Sequence, residues 1–170
     1  MIHDTNNYWE QLERLEKLIR ASEFKAGVVF SFHSLILGFF VDRFENFELI
    51  LRESFIFLLL LAAWLLTVLI SIYFCFRCFR PHMELNYERN VFFFKDAANK
   101  FESSEEFSKE LIKTCSTEDE IVKRLSEQIH AESVIIEKKF FHVKRATKFF
   151  IISFLILIVA VAYQVYFSIN

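Results

Sequence analysis

The run FIFLLLLAAWLLTVLISIYFCF at residues 55–76 contains no charged side chain. About 20 consecutive apolar residues are enough for an α-helix to cross the hydrocarbon core of a bilayer. A second uncharged run, FFIISFLILIVAVAYQVYFSI, occupies residues 149–169. These two runs therefore predict two membrane-spanning helices, and they fix the class of protein to which the rest of the chain must belong.

A third apolar stretch, AGVVFSFHSLILGFFV at residues 26–41, is shorter than the other two. At 1.5 Å per residue, a helix of this length covers about 24 Å of a core that is about 30 Å thick. It spans the bilayer when Phe24 adds length and the ammonium of Lys25 reaches back to the interface. The alternative is a re-entrant or interfacial segment. We interpret the stretch as a third span.

The composition excludes most other architectures. The chain of 170 residues contains 54% hydrophobic residues and 23 phenylalanines, but only two glycines and one proline. Turn-rich β folds and glycine-rich phosphate loops both need more of these two residue types. The net charge of −2 argues against a nucleic-acid partner. We therefore predict an all-α membrane protein that forms a single integrated unit. Its segments are a cytosolic N-terminal helix at 1–25, spans at 26–41, 55–76 and 149–169, an external loop at 42–53, and a cytosolic helical region at 77–148.

The distribution of lysine and arginine predicts the orientation, because these residues accumulate on the cytoplasmic side. They are frequent before the first span, after the second span and before the third span, whereas the two arginines at 42–53 are outnumbered by acids. The N-terminus is then cytoplasmic, residues 77–148 are cytoplasmic and the C-terminus is periplasmic. This arrangement requires three spans.

Helix boundaries follow from the few breakers and caps. Nothing between Trp9 and Ala26 interrupts the N-terminal helix before the first span, and Pro81 ends the second. Ser103 with Glu106, and Thr117 with Glu120, have the spacing of capping boxes and predict helix starts near 104 and 118. The last helix meets no breaker before Ile169, so it is predicted to run for about 50 residues.

Polar and small residues inside the spans are candidate functional positions. His33 lies near the middle of the first span. Its imidazole either is neutral and bonded to a neighbouring helix, or it lines a pore or relays protons. Gly27, Ser31, Ser34 and Gly38 share one helix face and predict a close helix contact, within the chain or between subunits. Cys75 and Cys78 have a CxxC spacing but lack further metal ligands and are read as small packing residues.

No motif supports catalysis, a metal site or a bound cofactor. The chain has no GxSxG, no HExxH and no phosphate-cradling glycine loop. We therefore expect that the protein is not an enzyme.

Three short motifs then resemble a known family. Glu23-Phe-Lys25-Ala26-Gly27 precedes the first span, Asn90-Val-Phe-Phe-Phe94 follows the second, and Gln128-Ile129-His130 with Ser133, Ile135 and Lys139-Phe140 leads into the third. Their order and spacing resemble the small transmembrane effectors of bacterial Pycsar antiphage systems, in which an aspartate is usual where Glu23 stands. The resemblance implies a bacterial inner-membrane effector. A partner cyclase would supply a cyclic pyrimidine nucleotide, and the effector would respond by impairing the membrane in an abortive infection.

The resemblance does not identify the residues that bind the nucleotide, but the motifs that carry it contain side chains with suitable chemistry. Lys25 and Lys139 are candidates for its phosphate, and Asn90 and Gln128 for the edge of its base, because an amide offers both a donor and an acceptor. The alternative for the cations is anchoring to lipid phosphates, and it applies equally to the further set Lys138, Lys144, Arg145 and Lys148.

Three spans per chain cannot enclose an aqueous pore, so permeabilisation predicts a homo-oligomer. The alternative functions are a constitutive scaffold and a channel subunit without a nucleotide ligand.

Overall fold

A computed structural model describes residues 5–43, 54–80 and 89–169, and within these ranges the secondary structure is helical with no strand. Three helices, α1 (Asn6–Asp42), α2 (Phe55–Phe79) and α5 (Glu118–Ile169), are long and apolar enough to cross a membrane. The predicted all-α membrane architecture is therefore confirmed. The helices in chain order are α1 (Asn6–Asp42), α2 (Phe55–Phe79), α3 (Phe94–Asn99), α4 (Ser104–Thr114) and α5 (Glu118–Ile169).

The helix boundaries agree closely with the caps in the sequence. The hydroxyl of Ser54 accepts the Phe57 amide at 3.3 Å, and that of Ser103 accepts the Glu106 amide at 3.1 Å. Arg80 ends α2 in an extended conformation, as expected for a residue that precedes a proline. Helix starts predicted near 104 and 118 are confirmed, and α5 has 52 residues. Of the predicted external loop, residues 44–53 lie outside the described residues.

One short helix, α3, was not predicted. Its six residues follow the predicted Asn90–Phe94 motif, and a helix of this length has too few positions to show an apolar period. The buried carboxylate of Asp96 accepts the Asn90 backbone amide at 3.1 Å and pairs with Lys100 at 3.0 Å. Both contacts are local in the chain, and the Asp96–Lys100 pair has the i,i+4 spacing that stabilises a helix. That spacing is a signal that could have predicted α3.

Contacts divide the chain into two compact units, and the single integrated unit stays a prediction. The first, here called the charged unit, consists of Met1–Ala21 and His82–Lys138, and the second, the membrane unit, of Ser22–Pro81 and Lys139–Asn170. Helices α1 and α5 each contribute residues to both units. The division therefore falls within two uninterrupted helices and not at a linker.

In the membrane unit, α1 and α5 run in the same direction and α2 runs against them. The thiol of Cys78 lies 3.9 Å from the Ser22 carbonyl at one end of α2, whereas the rings of Trp64 and Phe40 lie 5.2 Å apart farther along. Toward the start of α2, the ring of Phe57 stacks on Tyr163 near the end of α5. Three spans with these relative directions are what the predicted topology requires.

Small side chains allow close packing within this unit. The hydroxyl of Ser71 on α2 donates to the Ala146 carbonyl on α5 at 2.8 Å, which brings the two backbones near each other. One buried apolar cluster of the unit consists of Ala26, Val29, Cys75, Cys78, Val143 and Ala146, and a second one contains Phe57 and Ala160. Cys75 and Cys78 are therefore core residues of the described structure.

One member of the small-residue stripe of α1 lies against another helix, because Gly27 is half-buried and a Cβ placed on it would lie 4.0 Å from the Phe79 ring. The other three, Ser31, Ser34 and Gly38, are exposed, and no described atom lies within 4 Å of a Cβ placed on Gly38. The close helix contact on this face stays a prediction. The buried face of α1 carries Ser22, Ala26, Val29 and His33 instead. At about 100° per residue these four residues share one narrow face, and they include the polar group that most needs shielding from lipid.

The charged unit has a small core of its own. Its buried apolar residues are Leu15, Val91, Leu125, Ala131 and Ile136. At one edge, the Arg89 guanidinium lies 4.4 Å from the centre of the Phe101 ring and pairs with Glu106. The ion pair with Glu106 holds α4 against the segment that begins at Arg89.

Candidate functional site

A buried ion pair joins the three helices of the membrane unit. The Lys139 ammonium on α5 donates to the Glu23 carboxylate on α1 at 2.7 Å and to the Cys78 carbonyl on α2 at 2.7 Å. The Lys139 side chain is only 8% exposed, against 41% for Glu23. A buried ammonium needs a counter-charge and acceptors for its donors, and these two contacts supply them.

The ion pair occupies a distinctive place in the chain. Glu23 is the second residue of α1 in the membrane unit, and Lys139 is the first residue of α5 in that unit. A movement of either helix along its axis would separate the two charges. The pair therefore fixes the register of α1 against α5 at the point where both helices enter the membrane unit.

Lys25 and Lys139, the two cations assigned to a phosphate, are placed differently. Lys25 is exposed on α1, whereas Lys139 is buried and already neutralised by Glu23. Only Lys25 thus presents an accessible ammonium without a rearrangement. A phosphate could reach Lys139 only by replacing the Glu23 carboxylate.

Asn90, assigned to the base edge, is occupied by internal contacts in the charged unit. Its side-chain amide donates to the Arg124 carbonyl at 2.8 Å and to the Glu127 carboxylate at 3.3 Å, and its oxygen accepts the Phe92 amide at 3.0 Å. These contacts use both amide hydrogens. In this structure, Asn90 fastens the segment before α3 to α5.

Gln128, also assigned to the base, lies in the same part of α5 as the residues that bind Asn90. Its buried side chain donates to the Glu132 carboxylate at 2.8 Å. The second oxygen of that carboxylate, Oε2, is buried and has no hydrogen-bond partner among the described residues. A buried carboxylate oxygen without a donor is costly, which marks the Gln128–Glu132 pair as a site that a ligand or proton could complete.

Burial raises the pKa of Glu132 above its ordinary value. The Gln128 hydrogen bond acts in the opposite direction, while the Glu16 carboxylate adds to the increase. Because the folded pKa exceeds the unfolded one, Glu132 favours folding when protonated. That preference declines as the pH rises from the ordinary glutamate value through the raised pKa.

The structure thus brings together Asn90 and Gln128 in the charged unit, and it places Lys25 and Lys139 in the membrane unit. Two partners were not predicted, namely Glu23 for Lys139 and Glu132 for Gln128. Glu132 stands four residues after Gln128, the spacing at which helical side chains meet, and this signal could have identified it.

His33 faces the core of the membrane unit and is 1% exposed. Its ring lies edge-on to Phe150 on α5, with centroids 5.0 Å apart, and its Nε2 atom has no hydrogen-bond partner in the part of the chain that the structure describes. No group of three metal-ligating side chains occurs within the described ranges. His33 is therefore placed as a shielded polar group between two spans.

Comparison with known families now identifies the chain. Residues 7–166 match the Pycsar effector protein domain, a match that includes helices of both units. The chain belongs to the Pycsar effector family. Membership makes it an antiphage defence effector in a membrane and implies a cyclic nucleotide signal from a partner cyclase. No curated protein and no solved structure matched the chain.

For this effector, the buried ion pair leads to a stability prediction. Glu23→Ala leaves the Lys139 ammonium buried without a counter-charge, so we expect a loss of about 2–3 kcal/mol in the free energy of unfolding. The loss should be below that of a fully buried pair, because Glu23 is 41% exposed. Unfolding by a denaturing detergent, followed by circular dichroism of the full-length protein in micelles, measures it.

Glu16→Ala is the matched control. Glu16 lies on the same helix and pairs with Arg20 in an exposed position, so its removal should change the free energy of unfolding by no more than about 0.5 kcal/mol. Adding Lys139→Met to Glu23→Ala should restore part of the loss, since the buried charge is then gone. Equal and small effects of the two alanine variants would contradict the role given to the ion pair.

Proposed function

We propose that this effector binds a cyclic pyrimidine nucleotide through its charged unit and responds by impairing the inner membrane. The observation that carries the proposal is the family match across both units, together with two helices that run uninterrupted from one into the other. A ligand can change the spans only if it binds one arrangement of the helices better than another. Continuous helices are suited to convey that difference.

The Gln128–Glu132 pair supports recognition of the base. Each pyrimidine base presents a donor beside an acceptor along its hydrogen-bonding edge. The Oε2 atom of Glu132, which has no hydrogen-bond partner among the described residues, accepts from a ring or amino N–H of the base. The Gln128 amide donates to an adjacent acceptor of the same base. This chemistry suits both cytosine and uracil.

Depolarisation of vesicles that contain the purified full-length protein tests this function. With a panel of cyclic nucleotides, we expect a cyclic pyrimidine nucleotide to depolarise the vesicles. Glu132→Gln should raise the required concentration by about 10- to 100-fold, since a hydrogen bond to a charged group contributes about 1.5–3 kcal/mol. Glu137→Gln, an exposed position on the same helix, is the control and should respond like the parent.

Each result discriminates among the alternatives. Leakage without any nucleotide would indicate a constitutive channel, and intact vesicles with every nucleotide would indicate a scaffold. A normal response of Glu132→Gln would contradict the assigned base site while leaving the effector function in place.

Impairment of the membrane by three spans per chain requires several copies, and the exposed small-residue face of α1 supports a homo-oligomer. Gly27, Ser31 and Phe24 line an open groove on this face. A second helix could approach the backbone closely there, and such contacts stabilise helix pairs in lipid. We therefore place a contact between copies along Gly27, Ser31, Ser34 and Gly38.

Gly38→Leu tests this contact. Because no described atom lies within 4 Å of a Cβ at Gly38, a side chain can start there without a clash among the described residues, so reduced association reports on a neighbouring molecule. We expect reduced crosslinking between copies and a loss of depolarisation. Ala62→Leu, an exposed position on α2, should change neither. Unchanged crosslinking of Gly38→Leu would show that this face contacts lipid.

We propose further that the N-terminus and the charged unit are cytoplasmic and that the C-terminus is periplasmic. The chain's own cysteines provide the test, because Cys115 of the charged unit is exposed while Cys75 and Cys78 are buried. A membrane-impermeant thiol reagent should label Cys115 only after cells are opened. The variant Glu48→Cys, at a position outside the described residues, should be labelled in intact cells. The reverse pattern would invert the orientation.

A further inference from the structure

The outward face of α5 at the start of its span carries a dense group of cations. Lys144, Arg145 and Lys148 are exposed, whereas Val143 and Ala146 between them are buried in the core of the membrane unit. At about 100° per residue, the three cations lie within one arc of about 100°, on the opposite side of the helix from the two buried residues. The helix therefore presents these charges away from the core.

These cations have no acidic partners in the part of the chain that the structure describes. Lys144, Arg145 and Lys148 form no ion pair with a described residue. The nearby acid on α1, Glu23, is already bonded to Lys139. By contrast, several cations of the charged unit pair with carboxylates, namely Lys17, Arg20, Arg89, Lys100, Lys113 and Arg124. The three cations of this face are therefore available to a ligand.

Aromatic rings hold the guanidinium of Arg145 in place. Its central carbon lies 4.7 Å from the centre of the Phe141 ring and 5.7 Å from that of Phe74 on α2. The Phe74 ring itself stacks on Phe149, with an interplanar angle of 10°. Stacking occupies the flat faces of a guanidinium and leaves the in-plane N–H donors available, the arrangement that suits bidentate binding of a phosphate.

The same face continues into the membrane as an apolar surface. Lys148 immediately precedes the uncharged run that begins at Phe149, and Ile151 and Leu155 are 53% and 57% exposed within one to two turns of it. At about 100° per residue, both lie on the side of α5 that carries the cations. A ligand that fits this face is anionic at one end and apolar along its length.

We propose that Phe74, Phe141, Lys144, Arg145 and Lys148 form a binding site for the phosphate headgroup of an acidic phospholipid. The acyl chains of the lipid then lie along Ile151 and Leu155. A soluble phosphate would satisfy the cations but would leave the adjoining apolar surface unused, so the combination favours a lipid. The site goes beyond the proposed response to a nucleotide and requires no nucleotide.

Native mass spectrometry of the full-length protein in micelles tests the site. Phosphatidylglycerol and phosphatidylcholine with the same acyl chains are added in equal amounts, without nucleotide, and the retained lipids are counted. We expect the parent to prefer phosphatidylglycerol. Each cation near a membrane surface contributes about a fivefold preference for anionic lipid. Arg145→Gln should therefore lower the preference about fivefold, and Arg145→Gln/Lys148→Gln about 25-fold.

Two further variants make the result specific. Lys113→Gln removes an exposed cation of the charged unit and should leave the preference unchanged. Lys144→Gln/Lys148→Gln keeps Arg145 and its aromatic contacts, and it provides a second measurement in case Arg145→Gln disturbs folding, which circular dichroism reports. We expect this double variant to lose most of the preference as well.

Three outcomes would overturn the site. The first is a preference for phosphatidylglycerol that survives in both double variants. The second is an equal loss of preference in Lys113→Gln, which would show a response to net charge alone. The third is displacement of bound phosphatidylglycerol by excess glycerol phosphate, which would identify a soluble phosphate as the ligand. Because nucleotide is absent throughout, failure here leaves the proposed effector function untouched.

Discussion

Burial of the Lys139 ammonium constrains the arrangement of the membrane unit. A side chain that is only 8% exposed can hold a charge only if acceptors surround it, and here those acceptors come from two other helices. Glu23 and the Cys78 carbonyl must therefore stay within hydrogen-bonding distance of the same nitrogen. This requirement sets the register of α1, α2 and α5 together, whereas apolar packing alone would tolerate sliding. The small residues of the core then allow the close approach that the contact needs.

The helices themselves could be predicted because their signals are local. Uncharged runs mark the spans, Ser103 marks a helix start, and the lack of breakers predicts that α1 and α5 continue through both units. The short helix α3 escaped prediction because six residues are too few to show an apolar period, although Asp96 and Lys100 have the i,i+4 spacing of a helical ion pair. Secondary structure here follows from composition, while the packing between segments requires the coordinates.

The candidate site shows the same limit at the level of single side chains. In the sequence, Lys139 is one of five cations that precede the third span, and nothing in its residue type separates it from the others. Its position around the helix separates it from the others. Lys139 lies on the buried side of α5 with Val143 and Ala146. The opposite side carries Lys144, Arg145 and Lys148. Asn90 illustrates the converse case. Its amide looked suited to a base, but the structure uses both of its hydrogens to fasten a segment.

The energies of the proposed contacts set a limit on how the effector can work. Shifting a two-state equilibrium from about 1:99 to about 99:1 requires about 5.5 kcal/mol of differential binding. A hydrogen bond to the charged Glu132 and one from the neutral Gln128 amide contribute about 2–4.5 kcal/mol in total, so the Gln128–Glu132 pair alone falls short of the amount required. The resting state must then lie within a few kcal/mol of the responding state in each copy. An oligomer relaxes this limit, because the differential affinities of its copies add when their spans move together. If the proposed response separates α1 from α5, the Glu23–Lys139 pair opposes it, so breaking the pair should lower the nucleotide concentration that the proposed response needs.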